Sequence, residues 1–409
     1  MKILINSYSC SPNRGSEPGL GWNWCTHIAR YCELFIITEE HWKENIEMVL
    51  PSLPQRGNIH FYYNPISDKA RSMAQNQGTW RFYWYYRKWQ KRTLKIAQQI
   101  CMENNIDIIH QLNWTGFREP GYLWKIKGPK YVWGPIGGTN LCPIAYIKGV
   151  DRSTTITYRL KNSLNWLQFR IEPRVRKAAK SADLLFCDSE SGVVNFKRVY
   201  GVNSLQINES GCQECGEITR DTIVGKDTMD ILWVGRFIPT KLLDIALKSV
   251  ARAKQNSKIK LHILGTGNLE KEYKDTAERL GVMDICIWHG QVPHDEVQRI
   301  MRSCDLLFYT SVVDGTPASI MECISNGLPI LCFDTCGFGP MVDESIGTKI
   351  QLSNPEQSII EFADKIQYLY DNRSVLQQMS DNCKDKISKI SWDAQAKRLV
   401  DLYKGLLDN

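Results

Sequence analysis

The chain has 409 residues, of which 43% are hydrophobic and 23% are charged. This length predicts two or three domains, and this composition excludes a disordered or low-complexity protein. Residues 1–200 contain 28 basic and 15 acidic residues and carry +13, whereas residues 201–409 carry −6, which indicates an anionic partner for the first half unless surface charge has simply drifted.

Cysteine usage and the N-terminus predict the compartment. The 14 cysteines are scattered along the chain, and residues 1–6 are too short an apolar run for a cleavable signal peptide. No apolar run reaches the 18 residues of a membrane-spanning helix. We therefore expect reduced thiols and a cytoplasmic protein. Cys212 and Cys215 form a lone CxxC pair, which is weak evidence for zinc.

Short apolar runs alternate with helical patterns along the whole chain. They predict strands at 2–6, 34–38, 106–110, 131–133, 184–187, 205–207, 231–234, 261–264, 285–288, 306–309 and 330–333. Continuous apolar strands separated by helices are typical of parallel sheets covered on both faces. We therefore predict two doubly wound, Rossmann-like α/β domains at 1–208 and 229–390, with a linker at 209–228. Ligands are expected at the carboxyl ends of the strands, in a cleft between the domains.

A basic, aromatic-rich segment lies in the first half. Residues 69–102 contain eight basic residues and no acidic one. At about 100° per residue, the basic side chains of 80–95 share one arc with two tryptophans, opposite the other aromatic residues. This pattern is typical of a helix at an anionic membrane or a lipid pyrophosphate, although a solvated helix with an apolar underside would also show it. The predicted acceptor or membrane face comprises Trp80, Trp84, Arg87, Lys88 and Lys91, and the basic segment 170–180 adds to it.

The end of the strand at 231–234 carries groups suited to phosphate. Gly235 leaves room near the backbone, and Arg236 is able to bind two oxygens at once. Lys241 adds a point charge five residues later, beside a predicted helix start with free N–H groups. Two solvated charges near a turn would be the plainer interpretation.

A second motif follows the strand at 306–309. Asp314 stands in a Gly/Pro turn, and Glu322 stands in the helix predicted from about Pro317 to Asn326. Both carboxylates would suit a ligand with many hydroxyls, such as the sugar and ribose of a nucleotide-sugar, with its phosphates at the helix start. A turn-forming Asp and a surface Glu are the alternative.

Together these motifs resemble those of a known family. Gly235-Arg236 with Lys241, the run 264–267, the loop 289–292, and Asp314-x7-Glu322 with the residues up to 329 occur in this order. The series resembles the donor half of the family-4 retaining glycosyltransferases of GT-B fold, in their bacterial group 1 form. The glycine-rich segment 11–22 and the segments 133–138, 187–190 and 391–392 resemble the same family, so the resemblance covers nearly the whole chain.

The resemblance implies a role for each matching residue. Arg236 and Lys241 would hold the donor diphosphate and stabilise the departing nucleoside diphosphate. Glu322 would bind the ribose hydroxyls, and Asp314, which replaces a Glu of the family, would contact the donor sugar with a shorter side chain. The final helix, about 391–409, would cross back onto the first domain. Gly290 and Val292 would lie in a loop that meets the base of the donor (the base loop), and Gly19 and Gly21 in a loop that approaches the donor phosphates. The remaining donor-binding residues would be Gly235, Gly315 and Thr316.

His110 ends the strand at 106–110 and is the catalytic candidate on the acceptor side, beside Asp314, Arg236 and Lys241. Several relatives carry two histidines separated by one residue here, but this sequence has Leu112 at the second position. His110 would position the acceptor or take its proton, or it is a structural histidine. The family needs no Asp-x-Asp metal site, so neither a metal nor another cofactor is expected.

The sequence thus predicts a retaining glycosyltransferase that moves a sugar from a nucleotide-diphosphate sugar to a hydroxyl of a glycan. The acceptor is expected to be lipid-linked, in surface polysaccharide synthesis (capsule, O-antigen or exopolysaccharide), with the enzyme peripheral on the inner face of the plasma membrane. A nucleotide-sugar epimerase of the same fold is one alternative. A basic nucleic-acid-binding protein is another, although it leaves Asp314 and Glu322 unused. A dehydrogenase is disfavoured because the segment 265–270 lacks the third glycine of GxGxxG.

Overall fold

The computed structural model describes residues 1–67, 72, 80–147, 151–213, 220, 222–315 and 317–408. The chain divides into two compact units. The first unit comprises Met1–Asn140, Asn165–Glu209 and Trp392–Asn409, and the second comprises Leu141–Leu164 and Ser210–Ser391. The segment Leu141–Leu164 was not foreseen as part of the second unit, because the predicted first domain ran without interruption to residue 208.

The strands, in chain order, are β1 (Lys2–Ser7), β2 (Glu33–Glu39), β3 (Ile59–Asn64), β4 (Ile108–Asn113), β5 (Lys130–Ile136), β6 (Leu184–Cys187), β7 (Leu205–Gln206), β8 (Met229–Val234), β9 (Ile259–Leu264), β10 (Cys286–Gly290), β11 (Leu306–Tyr309), β12 (Ile330–Phe333) and β13 (Gly347–Ile350). The α-helices of the described residues are α1 (Ser16–Ile28), α2 (Lys43–Val49), α3 (Trp80–Glu103), α4 (Ile144–Ile147), α5 (Arg152–Ile171), α6 (Pro173–Ser181), α7 (Glu190–Tyr200), α8 (Leu243–Ala253), α9 (Glu270–Arg279), α10 (His294–Ser303), α11 (Ala318–Ser325), α12 (Pro355–Asp371), α13 (Arg373–Ile390) and α14 (Trp392–Leu407).

The first unit is built on a parallel sheet of seven strands in the order β3-β2-β1-β4-β5-β6-β7. The strand β1, next to the central strand β4, pairs with β2 from Lys2↔Glu33 to Asn6↔Ile37 and with β4 on its other side. Ile3, Leu4 and Ile5 have no exposed surface, as expected for a strand covered on both faces. The sheet order places the carboxyl ends of β1 and β4 side by side at its centre.

Local signals set the helix ends in this unit. The hydroxyl of Ser189 accepts a hydrogen bond from the Gly192 amide and caps the start of α7. Gly201, with φ 70°, ends the same helix in the left-handed conformation that glycine adopts without strain. The helix α7 therefore returns the chain to the sheet between β6 and β7.

The second unit is built on a parallel sheet of six strands in the order β10-β9-β8-β11-β12-β13. Buried aliphatic side chains of the central strands, such as Ile231, Leu261 and Leu331, form its core together with residues of α8 and α12. Asn354 caps α12 by accepting from the Gln357 amide at 3.0 Å. Both sheets are of the doubly wound type that the apolar runs predict.

The helix α14 belongs to the first unit, although it follows the whole second unit in sequence. Its Trp392 packs edge-on against Trp24 of α1 with ring centroids 5.7 Å apart. Asp393 accepts hydrogen bonds from Arg30 and Tyr31 at 2.8 and 2.7 Å. The helix thus covers one face of the first sheet together with α1.

Within the part of the chain that the structure describes, no helix is both long and apolar enough to cross a bilayer. In the same residues, no three His, Cys, Asp or Glu side chains are grouped so that they could share a metal ion.

Candidate active site

Three glycines end neighbouring strands at one edge of the second unit. The Gly235 amide donates to the Leu264 carbonyl and the Gly265 amide donates to the Gly290 carbonyl, each at 3.0 Å. A Cβ on Gly265 would lie 1.9 Å from the Gly235 carbonyl oxygen, and its φ is 141°, so this position requires glycine. The predicted phosphate turn after β8 and the predicted base loop after β10 therefore lie at the same edge of the sheet.

Lys241 and Asp314 form an ion pair at this edge. The Lys241 ammonium lies 2.6 Å from Asp314 Oδ2, and the two side chains are only 13% and 22% exposed. Lys241 belongs to the short turn Pro239–Lys241, which Thr310 holds by donating to the Lys241 carbonyl at 2.7 Å. Two residues that are 73 positions apart in sequence are thus brought into direct contact.

Two hydroxyl groups that the sequence analysis did not identify hold the same carboxylate. The Tyr309 hydroxyl donates to Asp314 Oδ2 at 2.7 Å and accepts from the Lys241 ammonium at 3.0 Å. Ser311 also donates to this oxygen. Burial, followed by the charge of Asp314, raises the pKa of Tyr309 well above its usual value, which keeps the phenol protonated as a donor. No described residue donates to Oδ1, the other carboxylate oxygen, so it is the oxygen left for a ligand.

Arg236 follows Gly235 and has an exposed side chain. Among the described residues, no carboxylate lies within ion-pair distance of it. Burial and then the charge of Cys142 raise the pKa of Tyr158 of α5, and the charge of Arg236 opposes this rise. The edge therefore presents one paired and one unpaired cation, and the unpaired one is accessible to an anionic ligand.

The helix α11 begins three residues after Gly315, and Thr316 lies outside the described residues. No side chain caps its start, and the first amides that bond within it are those of Ile320 and Met321, both to Pro317. The amides of Ala318 and Ser319 therefore have no acceptor in the helix, which is the usual basis of anion binding at a helix start.

Glu322 lies one turn into α11 and is half-buried. Its Oε2 accepts from the side-chain amide of Gln298 of α10 at 3.4 Å, and the side-chain oxygen Oε1 of Gln298 accepts from the Asn326 side chain at 2.6 Å. Burial raises the pKa of the Glu322 carboxyl, against the opposing effects of His294 and of the bond from Gln298. Gln298 and Asn326 were not predicted, since neither belongs to the motif that identified Glu322.

The base loop rests on a chain of polar side chains. Gly290 has φ 66°, and Val292 is half-buried against the apolar cluster beneath α11. His289, the residue before Gly290, lies 3.0 Å from His262, and His262 lies 3.1 Å from Asp230. Burial and then the charge of His262 lower the pKa of His289.

The glycines of the first loop lie in the first unit and are tightly packed. A Cβ on Gly19 would lie 2.3 Å from the Arg14 carbonyl oxygen, and one on Gly21 would lie 2.1 Å from the Ser9 carbonyl oxygen. Both positions thus exclude a side chain for reasons internal to the first unit. Their predicted contact with the donor phosphates stays a prediction.

His110 is fully buried in the first unit. One ring nitrogen, Nε2, lies 2.6 Å from the Gly134 carbonyl and must donate to it, so Nδ1 accepts from the Tyr403 hydroxyl at 2.5 Å. Burial lowers the pKa of His110 to about 4 against the bond to Gly134, so the ring is neutral at pH 7. Both nitrogens are used inside the protein, which favours the structural alternative over an acceptor-side catalytic role.

The helix α3 matches its predicted two faces. Phe82, Tyr86 and Trp89 are buried, and Lys88, Lys91 and Trp84 are exposed. The Lys88 ammonium lies 3.6 Å above the Trp84 ring, whereas Arg87 pairs with the buried Glu119 at 2.9 Å. The Trp80 side chain lies outside the described part. Over residues 81–103 the outer face of α3 is therefore cationic, and Trp84 is the one exposed large aromatic side chain described on it.

Comparison with known proteins identifies the domain that carries these groups. Residues 217–386 match the family described as glycosyl transferases group 1. A lipopolysaccharide 1,6-galactosyltransferase of Escherichia coli is 30% identical over 130 residues, which is 30% of this chain and 35% of that protein. The chain spans only 46% and 35% of the length of the first two curated relatives that it matches.

Solved structures show the same architecture over the whole chain. The apo form of the lipopolysaccharide outer core galactosyltransferase WaaB superposes with a TM-score of 0.64 at 16% identity, covering 99% of both chains. The Anabaena protein Alr3699/HepE in complex with UDP superposes with a TM-score of 0.61 at 13% identity, covering 99% of this chain and 100% of that one. The chain therefore has the GT-B fold, and its residues 217–386 are similar to the group 1 glycosyl transferases.

Proposed function

We propose that this protein is a retaining glycosyltransferase of family 4, which transfers a sugar from a nucleotide-diphosphate sugar to a hydroxyl of a glycan. The observation that carries the proposal is the half-buried Lys241–Asp314 pair within a group 1 glycosyltransferase domain. The accessible Arg236 lies close to Lys241 in sequence. The start of α11, with its free amides, lies close to Asp314. Two cations, two carboxylates and free amides are the groups that a sugar linked to a diphosphate requires.

In this proposal the donor diphosphate lies between Arg236, Lys241 and the start of α11. When the bond between the sugar and the diphosphate breaks, negative charge accumulates on the leaving diphosphate, and the fixed cations stabilise it. Lys241 is already held by Asp314 and Tyr309, so it needs little reorientation when the charge develops. The role of Arg236 and Lys241 is thus to make the nucleoside diphosphate a better leaving group.

The two carboxylates would bind hydroxyl groups of the donor. Asp314 has one oxygen bound by protein donors and the other oxygen available for a hydroxyl of the sugar. Glu322 has one oxygen near Gln298 and would accept from the ribose. The charged groups and the hydroxyls of the donor would thus be bound by cations, amides and carboxylates of the second unit.

A lipid-linked glycan of a surface polysaccharide is the proposed acceptor, with the enzyme in the cytoplasm on the inner face of the membrane. Its support is the +13 charge of residues 1–200, the cationic outer face of α3, and the lipopolysaccharide enzymes to which the chain is similar. Cations near a membrane attract both anionic lipids and the pyrophosphate of a lipid carrier.

The proposal is tested by nucleoside diphosphate release with a panel of nucleotide-sugars, with and without glycan acceptors. Arg236→Ala, Lys241→Ala and Glu322→Ala should each lower turnover by about tenfold or more, since each removes a charged contact. Lys260→Ala, an exposed lysine on β9, serves as the control. Full activity in all three variants would refute the site, and product formation without any acceptor would favour the epimerase.

The same assay tests metal dependence. Because Arg236 and Lys241 are proposed to carry the charge of the leaving group, turnover should persist after the protein is treated with EDTA. Recovery of activity only on addition of Mg²⁺ or Mn²⁺ would contradict this. The anomeric configuration of the product, measured by NMR, tests retention directly.

A further inference from the structure

The helix α5 has an unusual distribution of polar and apolar residues. Its inward face consists mainly of polar side chains, and two of them bond to backbone carbonyls: Asn162 to Cys142 at 2.8 Å and Asn165 to Gly138 at 3.0 Å. Phe169 is the one large apolar side chain that is buried on this face. An ordinary surface helix shows the opposite arrangement, with its apolar side toward the core.

The outward face carries five large aliphatic side chains, which we name the apolar stripe: Ile156, Leu160, Leu164, Leu167 and Ile171. Each is between 44% and 63% exposed. Their spacings of four, four, three and four residues keep them within an arc of about 80° over about 22 Å of the helix. Exposed apolar residues are common singly, but a continuous row of them marks an interaction surface.

Basic side chains border the apolar stripe on both sides. Arg152, Arg159 and Arg170 lie along one border and Lys161 along the other, all exposed, and the sequence 152–171 contains no acidic residue. Arg170 also stacks on Trp166, with its guanidinium carbon 4.1 Å from the ring centre. The surface is therefore complementary to a partner that is apolar in its interior and anionic at its boundary.

An anionic bilayer has this combination of properties. A helix lying in the interface places its apolar side chains among the acyl chains, while its lysines and arginines meet the phosphates of the headgroups. Over residues 81–103 the helix α3 does not show the first property, because Trp84 is exposed there and the other described aromatic side chains are buried or half-buried.

We propose that α5 is the membrane-contact surface of this protein, with the apolar stripe inserted into an anionic bilayer. This proposal deepens the proposed function and rests on it, since contact with a membrane would bring the enzyme to its lipid-linked acceptor. Membrane binding does not require catalysis, so it is measured without any substrate.

The test is co-sedimentation with vesicles of phosphatidylcholine containing phosphatidylglycerol. Replacement of Leu160, Leu164 and Leu167 together by serine should weaken binding by about tenfold or more, because three aliphatic side chains no longer leave water. The matched control replaces three exposed leucines elsewhere, Leu205, Leu280 and Leu407, and should bind as the native protein does. Thermal unfolding checks that both variants are folded.

Three results would overturn the proposal. The first is a folded stripe variant that binds vesicles as strongly as the native protein. The second is loss of binding only when Lys88, Lys91 and Lys95 of α3 are changed to glutamine. The third is a native protein that is dimeric without lipid and becomes monomeric in the stripe variant, which would assign the stripe to a second copy of the chain.

Turnover on a soluble acceptor should be unchanged in the stripe variant, so failure of this proposal and failure of glycosyl transfer are distinguished.

Discussion

At the scale of single residues, Asp314 is the group with the most constrained environment. Lys241, Tyr309 and Ser311 all bond to one of its carboxylate oxygens. An Asp is one methylene shorter than the Glu expected from the resemblance, so the three donors fix it close to the end of β11. A sugar hydroxyl would have to reach the remaining carboxylate oxygen at that position. Because Lys241, Tyr309 and Ser311 fix the position, they would help to determine which sugar the site accepts.

Tyr309→Phe should therefore lower donor turnover although Tyr309 carries no charge. Loss of a hydrogen bond to a charged group typically costs about 1.5–3 kcal/mol, which corresponds to about tenfold or more in kcat/KM. The control is Tyr370→Phe, whose hydroxyl donates to the Asp227 carbonyl. In an Asp314→Asn background Tyr309→Phe should have little further effect, and full additivity of the two changes would contradict the positioning role.

Glu322→Gln should separate stability from donor binding. Burial raises the pKa of Glu322 above its usual 4.5, so the native state binds a proton more tightly than the unfolded state does. Stability is then lost as pH rises from the usual pKa through the raised one. The variant should unfold at a higher temperature than the native protein at pH 7 and at the same temperature in acid, while its affinity for nucleoside diphosphates falls.

The measurement is thermal unfolding at both pH values together with nucleoside diphosphate binding. Glu344→Gln, at an exposed position in the turn before β13, should change neither quantity. A Glu322→Gln variant that is less stable at pH 7 would show that the carboxyl has a structural role instead.

The sequence predicted the charged residues of the site better than the residues that hold them. Arg236, Lys241, Asp314 and Glu322 belong to motifs with fixed spacing, so they could be found without a structure. Tyr309 and Ser311 carry a weaker signal, namely two hydroxyl residues two positions apart at a strand end, where both side chains face the same side. Gln298 lies on a different helix from Glu322, and its contact depends on packing that no local pattern encodes.

At the scale of elements, the strands that were missed are edge strands. The central strands are continuous apolar runs because both faces are covered, and they were predicted from that pattern. The strands β3 and β13 lie at the outer edges of the two sheets, where partial exposure allows residues such as His60 and Lys349. Their sequences therefore lack the apolar run on which the prediction depended. The helix α5 was missed as a surface for the related reason that its apolar face points outward.

The contact between α1 and the loop after β1 gives a prediction about Gly21. A Cβ at this position would lie 2.1 Å from the Ser9 carbonyl oxygen, so Gly21→Ala should lower the free energy of unfolding by about 1–3 kcal/mol through overpacking. Gly15→Ala is the control, because its φ is −79° and a Cβ there meets nothing within 4 Å. Denaturant unfolding measures both, and equal stability of the two variants would contradict the packing role.

At the scale of the whole molecule, the first unit is completed by a helix that follows the second unit in sequence. Trp392 is 4% exposed, and its ring packs on Trp24 and His27. Trp392→Ala should cost about 3–5 kcal/mol, since it leaves a large cavity beneath α1. Hydrogen exchange should increase in the first unit and stay unchanged in the second.

Leu407→Ala provides the control on the same helix. Leu407 is 40% exposed, so this change should alter stability by no more than about 0.5 kcal/mol. A uniform increase of exchange across both units in Trp392→Ala would contradict the assignment of α14 to the first unit.

The placement of α14 also has a consequence for biosynthesis. Residues 210–391 must leave the ribosome after Glu209 and before Trp392. At about 5–20 residues per second, this interval lasts about 10–40 s. Throughout that time the nascent first unit exposes the apolar surface of Trp24, Cys25 and Ile28 that α14 later covers. This surface would be available to chaperones that bind nascent chains, and the second unit is free to fold before the first is complete.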